Sequence, residues 1–438
     1  MKKLLLRLTA IIAAVLVCIT MSGCGFTTFL TPAETIRPPR ITGEFEGVRT
    51  ALEASVGSDI VMEYPKGDNG VASFMTADLD GDGTDEVLAF YRQDTEASVT
   101  RINLLKSDSS GGWVSVQDLD PVGIALDSVS FCDLDNDGCQ EVVTGWNMYD
   151  AKNKEMAIYK MDSGLLTQRA SERYTEYVLC DINSDSVTEI VVLLLSSAEQ
   201  TASVSAFKFS SADGITIAGS APLDGGVTSY AKITVGKAGE EVPALYIDAF
   251  KGTTATLTEL VYWDDGKLVN AYYNDETGET SATLRSFTEY CRETREGEML
   301  IPFEKPLFGQ SEDAEVRLSF TEWRVFEDSA DKISTVTFKC DDYSYYFNLP
   351  EQWYDSVSAT YGSDSSVLIF YEYDPLSGSK KGELMRIRIF EAGHTEEAQS
   401  LGYEVIASDR TYIYTVRLVR GNELSIDLTA AREGFEFI

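Results

Sequence analysis

The sequence predicts a mainly β chain, a β-propeller followed by a smaller α+β domain. Three observations predict it: acidic loops of one pattern recur along the chain, each runs straight into an apolar strand, and hairpin signals fall between them. The loops read Asp78-Leu-Asp80-Gly-Asp82-Gly-Thr84-Asp-Glu86, Asp133-Leu-Asp135-Asn-Asp137-Gly-Cys139-Gln-Glu141 and Asp181-Ile-Asn183-Ser-Asp185-Ser-Val187-Thr-Glu189, starting 55 and then 48 residues apart. A repeat of roughly fifty residues is one small β-sheet stacked beside copies of itself.

Before the first loop, Phe45, Val48, Leu52 and Val56 share a helical face and Gly57 supplies a stop, so a short amphipathic helix opens the folded part. The residues after the loops, 87–91, 142–146 and 190–194, are β-branched, aromatic and aliphatic, which favours strand. The residue before each loop is small: Ala77, Cys132 and Cys180. This spacing predicts close packing there, with Cys132, Cys180 and Cys291 as buried small residues. Hairpin signals follow at 158–164, 207–214 and 261–266, where aromatic or β-branched residues flank Asp/Gly turns, and more loosely at 102–114. Strand, loop, strand and a further hairpin make four antiparallel strands per unit, the content of a propeller blade. Segments 227–247 and 287–301 match in outline but have lost the acidic residues, and are expected to be metal-free copies.

After Pro302 no acidic loop of this kind recurs. Strands are expected at 333–338, 343–349, 367–373, 384–390, 403–407 and 412–418, and helical stretches at 350–354, 395–401 and 423–432. That mixture predicts a compact α+β domain. Its aromatics Trp353, Tyr371 and Tyr373 suit either a core or a binding face. The expected organisation is a signal at 1–23, a Pro-containing tether at 24–40, the propeller at 41–305 and the α+β domain at 306–438.

The loops name a ligand. Calcium takes six to eight oxygens, and a tight loop supplies them from side chains at its first, third, fifth and ninth positions and a carbonyl at its seventh. Those donors are Asp78, Asp80, Asp82, Glu86 and the Thr84 carbonyl in the first loop. In the second they are Asp133, Asp135, Asp137, Glu141 and the Cys139 carbonyl. The third offers Asp181, Asn183, Asp185, Glu189 and the Val187 carbonyl, but Ser186 replaces the turn glycine, so it is expected to bind most weakly. An EF-hand is excluded: its twelfth position carries a bidentate glutamate, where these loops have Ala89, Thr144 and Val192, and a strand follows in place of a helix. The alternative is that these are ordinary acidic hairpin turns.

The pattern Asp-Leu-Asp-Gly-Asp-Gly-x-x-Glu before an apolar strand resembles the FG-GAP, or VCBS, repeat. The resemblance spans about residues 71–302, is specific in the first two loops and thins toward the last two copies. It implies the calcium-bearing propeller of integrin α-chains and of many bacterial surface proteins, a binding or scaffolding module. Such propellers usually have seven blades, whereas this chain has five anchors.

The N-terminus has Lys2, Lys3 and Arg7, a short apolar run at 11–17, and Met21-Ser22-Gly23-Cys24, which resembles a lipobox. That resemblance implies cleavage before Cys24 and lipidation of its thiol, hence an extracytoplasmic protein anchored to a bacterial membrane. Two acyl chains suffice for stable anchoring. Pro32, Pro38 and Pro39 mark the tether. Loss of the signal, with three basic and no acidic residues, takes the formal charge from −35 to −38. An acidic excess of this size repels nucleic acid. The expected partners are the membrane, through the lipid, and an envelope protein or glycan.

Cys132, Cys139, Cys180, Cys291 and Cys340 form no tight disulfide framework, although Cys132 and Cys139 flank one loop and are close enough in sequence to pair. His394 is the only histidine, which argues against histidine-dependent triads and multi-histidine zinc sites. No nucleophile elbow, phosphate loop or dinucleotide fingerprint occurs. Two alternatives to the binding module stay open: an acidic-site polysaccharide hydrolase or lyase, which needs a cleft with two carboxylates away from the loops, and an accessory subunit of an envelope complex.

Overall fold

In the computed structural model, residues 45–67, 72–95, 99–149, 154–239, 241–309, 318–327 and 329–438 are described. The signal, the tether and Cys24 lie outside them. The chain forms two units. The smaller comprises the described residues up to Ser58 together with Ser107–Val114, and the larger takes the remainder. In the smaller, the expected helix runs over Glu46–Val56, with Val48 and Leu52 buried and Gly57 at φ 93° ending it. A side chain at Gly47 would meet the Trp113 ring at 3.3 Å, so glycine admits the indole there.

The larger unit is mainly β, built from successive antiparallel sheets. The first is centred on Glu86–Gln93, with Phe74–Ala77 and Ile60–Met62 end to end along one edge and Arg101–Ser107 on the other. The second runs in the order Leu165–Tyr174, Lys154–Asp162, Glu141–Asn147, Ala125–Cys132, with Lys66–Gly67 added in parallel. The third (Glu176–Cys180, Glu189–Ser196, Thr201–Ser210, Gly214–Leu223) and the fourth (Ser229–Ala238, Val242–Lys251, Ala255–Asp264, Lys267–Asn270) are four-stranded meanders. The hairpins close where Asp/Gly turns were expected. Ser163 and Gly164, then Asp265 and Gly266, take positive φ in two-residue connections.

Side-chain alternation explains the stacking. In Glu189–Ser196, Val191 and Leu193 join a core with Leu245, Ile247 and Val261 of the fourth sheet. Their neighbours Ile190 and Val192 face the other way, onto Val143, Met156 and Ile158 of the second. Val142 and Trp146 meet Leu88, Phe90 and Leu104 of the first sheet, and Ala244, Tyr246 and Leu260 meet Ile301 and Phe303. Central strands buried on both faces read as continuous apolar runs. Each Val, Ile or Leu so buried contributes about 1.5–3 kcal/mol.

The fifth sheet changes the expected organisation. Met299–Pro306 pairs with Arg292–Glu293 on one side and Ser319–Glu327 on the other, and the sheet continues through Ala330–Cys340, Tyr345–Asn348 and the terminal Phe435–Phe437. The boundary expected at 305/306 therefore falls inside one sheet. The sixth sheet, Val357–Tyr361, Val367–Asp374, Ser379–Glu391, Tyr412–Leu418 and Glu404–Ser408, shares a core with the fifth through Phe338, Phe347, Phe370 and Val416. Trp353 and Tyr371 are buried rather than displayed, and Tyr373 stacks on Phe308, so these aromatics serve packing. Helices occur at Thr395–Ser400 and Leu428–Glu433, the latter capped by Asp427, and Glu351–Trp353 forms a 3-10 turn. Cys291 is buried as expected, whereas Cys132 and Cys180 are only half-buried, and none of the five described cysteines forms a disulfide.

Candidate metal centre

The three acidic loops share one conformation. In each, the residue before the loop pairs across the hairpin with the closing glutamate: Ala77 with Glu86, Cys132 with Glu141, Cys180 with Glu189. The second loop residue, Leu79, Leu134 or Ile182, is fully buried, and its amide donates to that glutamate's Oε2 at 2.9, 2.8 and 3.2 Å. The first aspartate accepts amides from within its own loop. Asp78 takes those of Gly81 and Gly83, Asp133 those of Asp137 and Gly138, and Asp181 those of Asp185 and Ser186. This wrap requires positive φ at the fourth and sixth positions. They are Gly81 (73°) and Gly83 (86°), Asn136 (61°) and Gly138 (90°), and Ser184 (62°) and Ser186 (68°).

The loops adjoin one another. A side chain at Gly81 would meet Cys139 Sγ at 3.2 Å, and Asn136 Nδ2 donates to the Ser186 carbonyl at 3.3 Å. Ser211, at the turn of the third sheet, donates to Asp135. Stacked sheets thus present their loops in a row.

Two of the loops gather carboxylates able to hold a metal ion: Asp78, Asp80 and Glu86 in the first, and Asp133, Asp135 and Glu141 in the second, with ligand atoms within 4.8 Å of one another. The third brings no such trio together among the described residues. There Asn183 Nδ2 donates to Glu189 instead. Asp82 is outside the first trio, and Asp137 outside the second. Asp82, Asp137 and Asp185 accept the amides of Thr84, Cys139 and Val187 at 2.8, 3.0 and 2.9 Å, which places those three seventh-position residues in the loop wall.

Sequence reasoning missed a lysine in every acidic loop. The second strand after the loop carries it, beside the closing glutamate. Val87 pairs with Leu105, Val142 with Tyr159 and Ile190 with Phe207, and one step further out Glu86, Glu141 and Glu189 lie opposite Lys106, Lys160 and Lys208. Lys106 Nζ lies 2.6 Å from Asp80 and 3.3 Å from Glu86. Lys160 Nζ lies 3.0 Å from Asp135, 2.9 Å from Asp137 and 2.6 Å from Glu141. Lys208 pairs with Asp185 and lies 3.7 Å from Glu189. The spacing from glutamate to lysine, 20, 19 and 19 residues, was the available signal.

Burial pushes the carboxyls of Glu86, Glu141 and Glu189 above the usual range. Burial also works against the Lys160 ammonium, but hydrogen bonds to Glu141, Asp137 and Asp135 outweigh it and leave the lysine above its ordinary value. The Lys160 and Lys208 hydrogen bonds hold Asp137 and Asp185 low.

Beside the second and third loops, a cavity of about 550 Å³ is lined by Lys66, Asp127, Lys154, Glu176, Cys132 and Thr188 among others. Lys154 Nζ bridges Asp127 at 3.0 Å and Glu176 at 3.4 Å, and Tyr174 donates to Asp127 at 3.1 Å. Gly145 makes room for this cluster: a Cβ there would sit 2.2 Å from the Tyr174 hydroxyl and 2.4 Å from Ser128 Oγ.

No family model and no curated protein matches the chain. Among solved structures it overlaps a protein from Lactobacillus plantarum (8% identity, TM-score 0.28, 68% of this chain and 81% of that one). It also overlaps the exotype rhamnogalacturonan lyase YesX (10%, 0.31, 82% and 90%) and the rhamnogalacturonan lyase YesW (13%, 0.30, 73% and 69%). Overlaps this loose carry no argument about fold or activity.

Proposed function

We propose that this chain is a lipid-anchored, extracytoplasmic β-propeller of FG-GAP/VCBS type that serves as a binding or scaffolding module for an envelope protein or glycan, with calcium as the ion of its first two loops. The observation that carries the reading is the identical register of three acidic loops on consecutive stacked sheets, two of which converge three carboxylates. The donors are all hard oxygens, which suits calcium and excludes soft-metal chemistry. Asp78, Asp80 and Glu86 would hold one ion, and Asp133, Asp135 and Glu141 another. Bound calcium supplies positive charge that tethers the two strands flanking each loop. The N-terminal sequence supports the anchor and the location.

The test is capture of the tagged protein from its native membrane, with and without calcium. A partner recovered with the wild type and lost in the Asp80→Asn/Asp135→Asn double variant supports the module. Release of the Cys24→Ala variant into the soluble fraction supports the anchor. A wild type that stays soluble, or brings down nothing, overturns the reading.

The hydrolase or lyase alternative has one observation in its favour, the cavity that holds Asp127 and Glu176. Both carboxylates lie against one cation, Lys154, at 3.0 and 3.4 Å. Turnover of an envelope polysaccharide that is lost in Asp127→Asn would establish that alternative.

A further inference from the structure

Each acidic loop already encloses a positive charge of its own. In the second, the side chains at the third, fifth and ninth positions, which include two of the three carboxylates that would hold a divalent ion, all lie within 3.0 Å of Lys160 Nζ. The first-position Asp133 is taken up by two backbone amides. Lys106 repeats the arrangement on Asp80 and Glu86, and Lys208 on Asp185 and Glu189.

The later copies act as an internal control. In the fourth sheet the residue before the turn, Ala238, pairs with Val242 where the acidic loops have glutamate. Extending the Ala244–Tyr262 register outward puts Asp264 opposite Val242. In the fifth sheet Glu293 pairs with Met299, and the Ile301–Arg324 register carried outward puts Phe326 at the lysine position. Where the glutamate is absent, so is the lysine. General surface charge does not explain that coincidence, because an isolated ion pair at a strand end contributes little and has no reason to track the loop.

We propose that Lys106, Lys160 and Lys208 are the resident cations of the three loops, so that each loop keeps its shape without a divalent ion and admits one only as its lysine withdraws. This rests on reading the loops as cation sites. A buried carboxylate such as Glu141, fully enclosed, is costly without a compensating charge, and the ammonium supplies one that mass action cannot remove. Calcium binding is then an exchange. The incoming ion must outcompete an intramolecular partner, which lowers the apparent affinity and couples binding to movement of the lysine's strand end.

The experiment uses the full-length chain in mild detergent, comparing wild type, Lys160→Met and Lys160→Met/Glu141→Gln by thermal unfolding in EDTA and in calcium, with calcium titrations by calorimetry. In EDTA the methionine variant is expected to melt about 3 °C or more below wild type. Adding Glu141→Gln recovers most of that loss, because the stranded charge is gone. Calcium restores Lys160→Met, which binds it at least about tenfold more tightly than wild type, an affinity difference of about 1.4 kcal/mol. A methionine variant that melts with wild type in EDTA overturns the proposal. If it melts low and is rescued by Glu141→Gln but not by calcium, the lysine's role stands and the calcium reading falls. Should Lys160→Met not fold, Lys106→Met, in a more exposed loop, is held to the same pattern.

Discussion

Replacing Glu259 by glutamine tests how the fourth sheet tolerates a buried carboxyl. Glu259 is fully buried in Ala255–Asp264. Its Oε1 accepts from the Asp224 amide at 2.8 Å, Asn270 Nδ2 at 2.9 Å and Thr280 Oγ1 at 3.2 Å, while its Oε2 is enclosed without a hydrogen-bond partner. Burial, outweighing those hydrogen bonds, pushes the carboxyl from 4.5 to about 7. The folded value lies above the unfolded one, so the folded chain retains a proton that the unfolded chain has released. The stability this contributes is complete below pH 4.5, declines as pH rises toward about 7, and changes no further above that. At about 1.4 kcal/mol per pH unit, the full span corresponds to about 3 kcal/mol. Glutamine keeps the accepting oxygen and cannot ionise. Denaturant unfolding of both proteins between pH 4 and pH 8 should therefore give curves that converge at the acid end and separate by about 3 kcal/mol at the other, the variant being more stable. Other titrating groups are common to both and cancel in the difference. Parallel pH profiles would refute the reasoning, for they would mean that Glu259 ionises in the folded state as easily as in water.

Two further substitutions have defined outcomes. Ser186→Gly relieves a left-handed serine (φ 68°) in the third loop and should stabilise the chain by about 1 kcal/mol in chemical denaturation. Arg285→Met strands Asp248, which shares a fully buried ion pair with it at 3.1 Å, and should cost about 3–5 kcal/mol; Arg285→Met with Asp248→Asn should recover part of that loss, read by thermal unfolding.

The loops and the strands after them were legible because their information is local. Asp78 can take the amides of Gly81 and Gly83 only if the chain turns there, and residues 87–91 can bury both faces only as a central strand. Hairpin turns such as Ser163-Gly164 declare themselves in two residues. The third loop was set apart in sequence by Ser186 at the position of the turn glycine; in the structure it is Asn183, in place of an aspartate, that leaves no carboxylate trio there among the described residues. The boundary at 305/306 was misplaced because Met299–Pro306 resembles the end of a repeat, while its second hydrogen-bonding edge is satisfied by Ser319–Glu327, beyond the last motif. Trp353 and Tyr371 gave no sign of which side they faced, because a short aromatic segment reads alike in a core and on a surface.

By itself, then, the chain's order of residues determined a run of antiparallel sheets, the conformation of their acidic turns and the chemical hardness of the donors, all consequences of backbone sterics and alternation over a few neighbours. Only the tertiary structure decided what those donors meet. Lys160 reaches Glu141 from 19 residues away because antiparallel register sets them side by side, and Glu259 Oε2 is left without a partner because Asp224, Asn270 and Thr280 converge on Oε1 from three separate segments. Charge compensation in a protein interior depends on distances of a few ångströms between residues remote in sequence, and folding alone sets those distances.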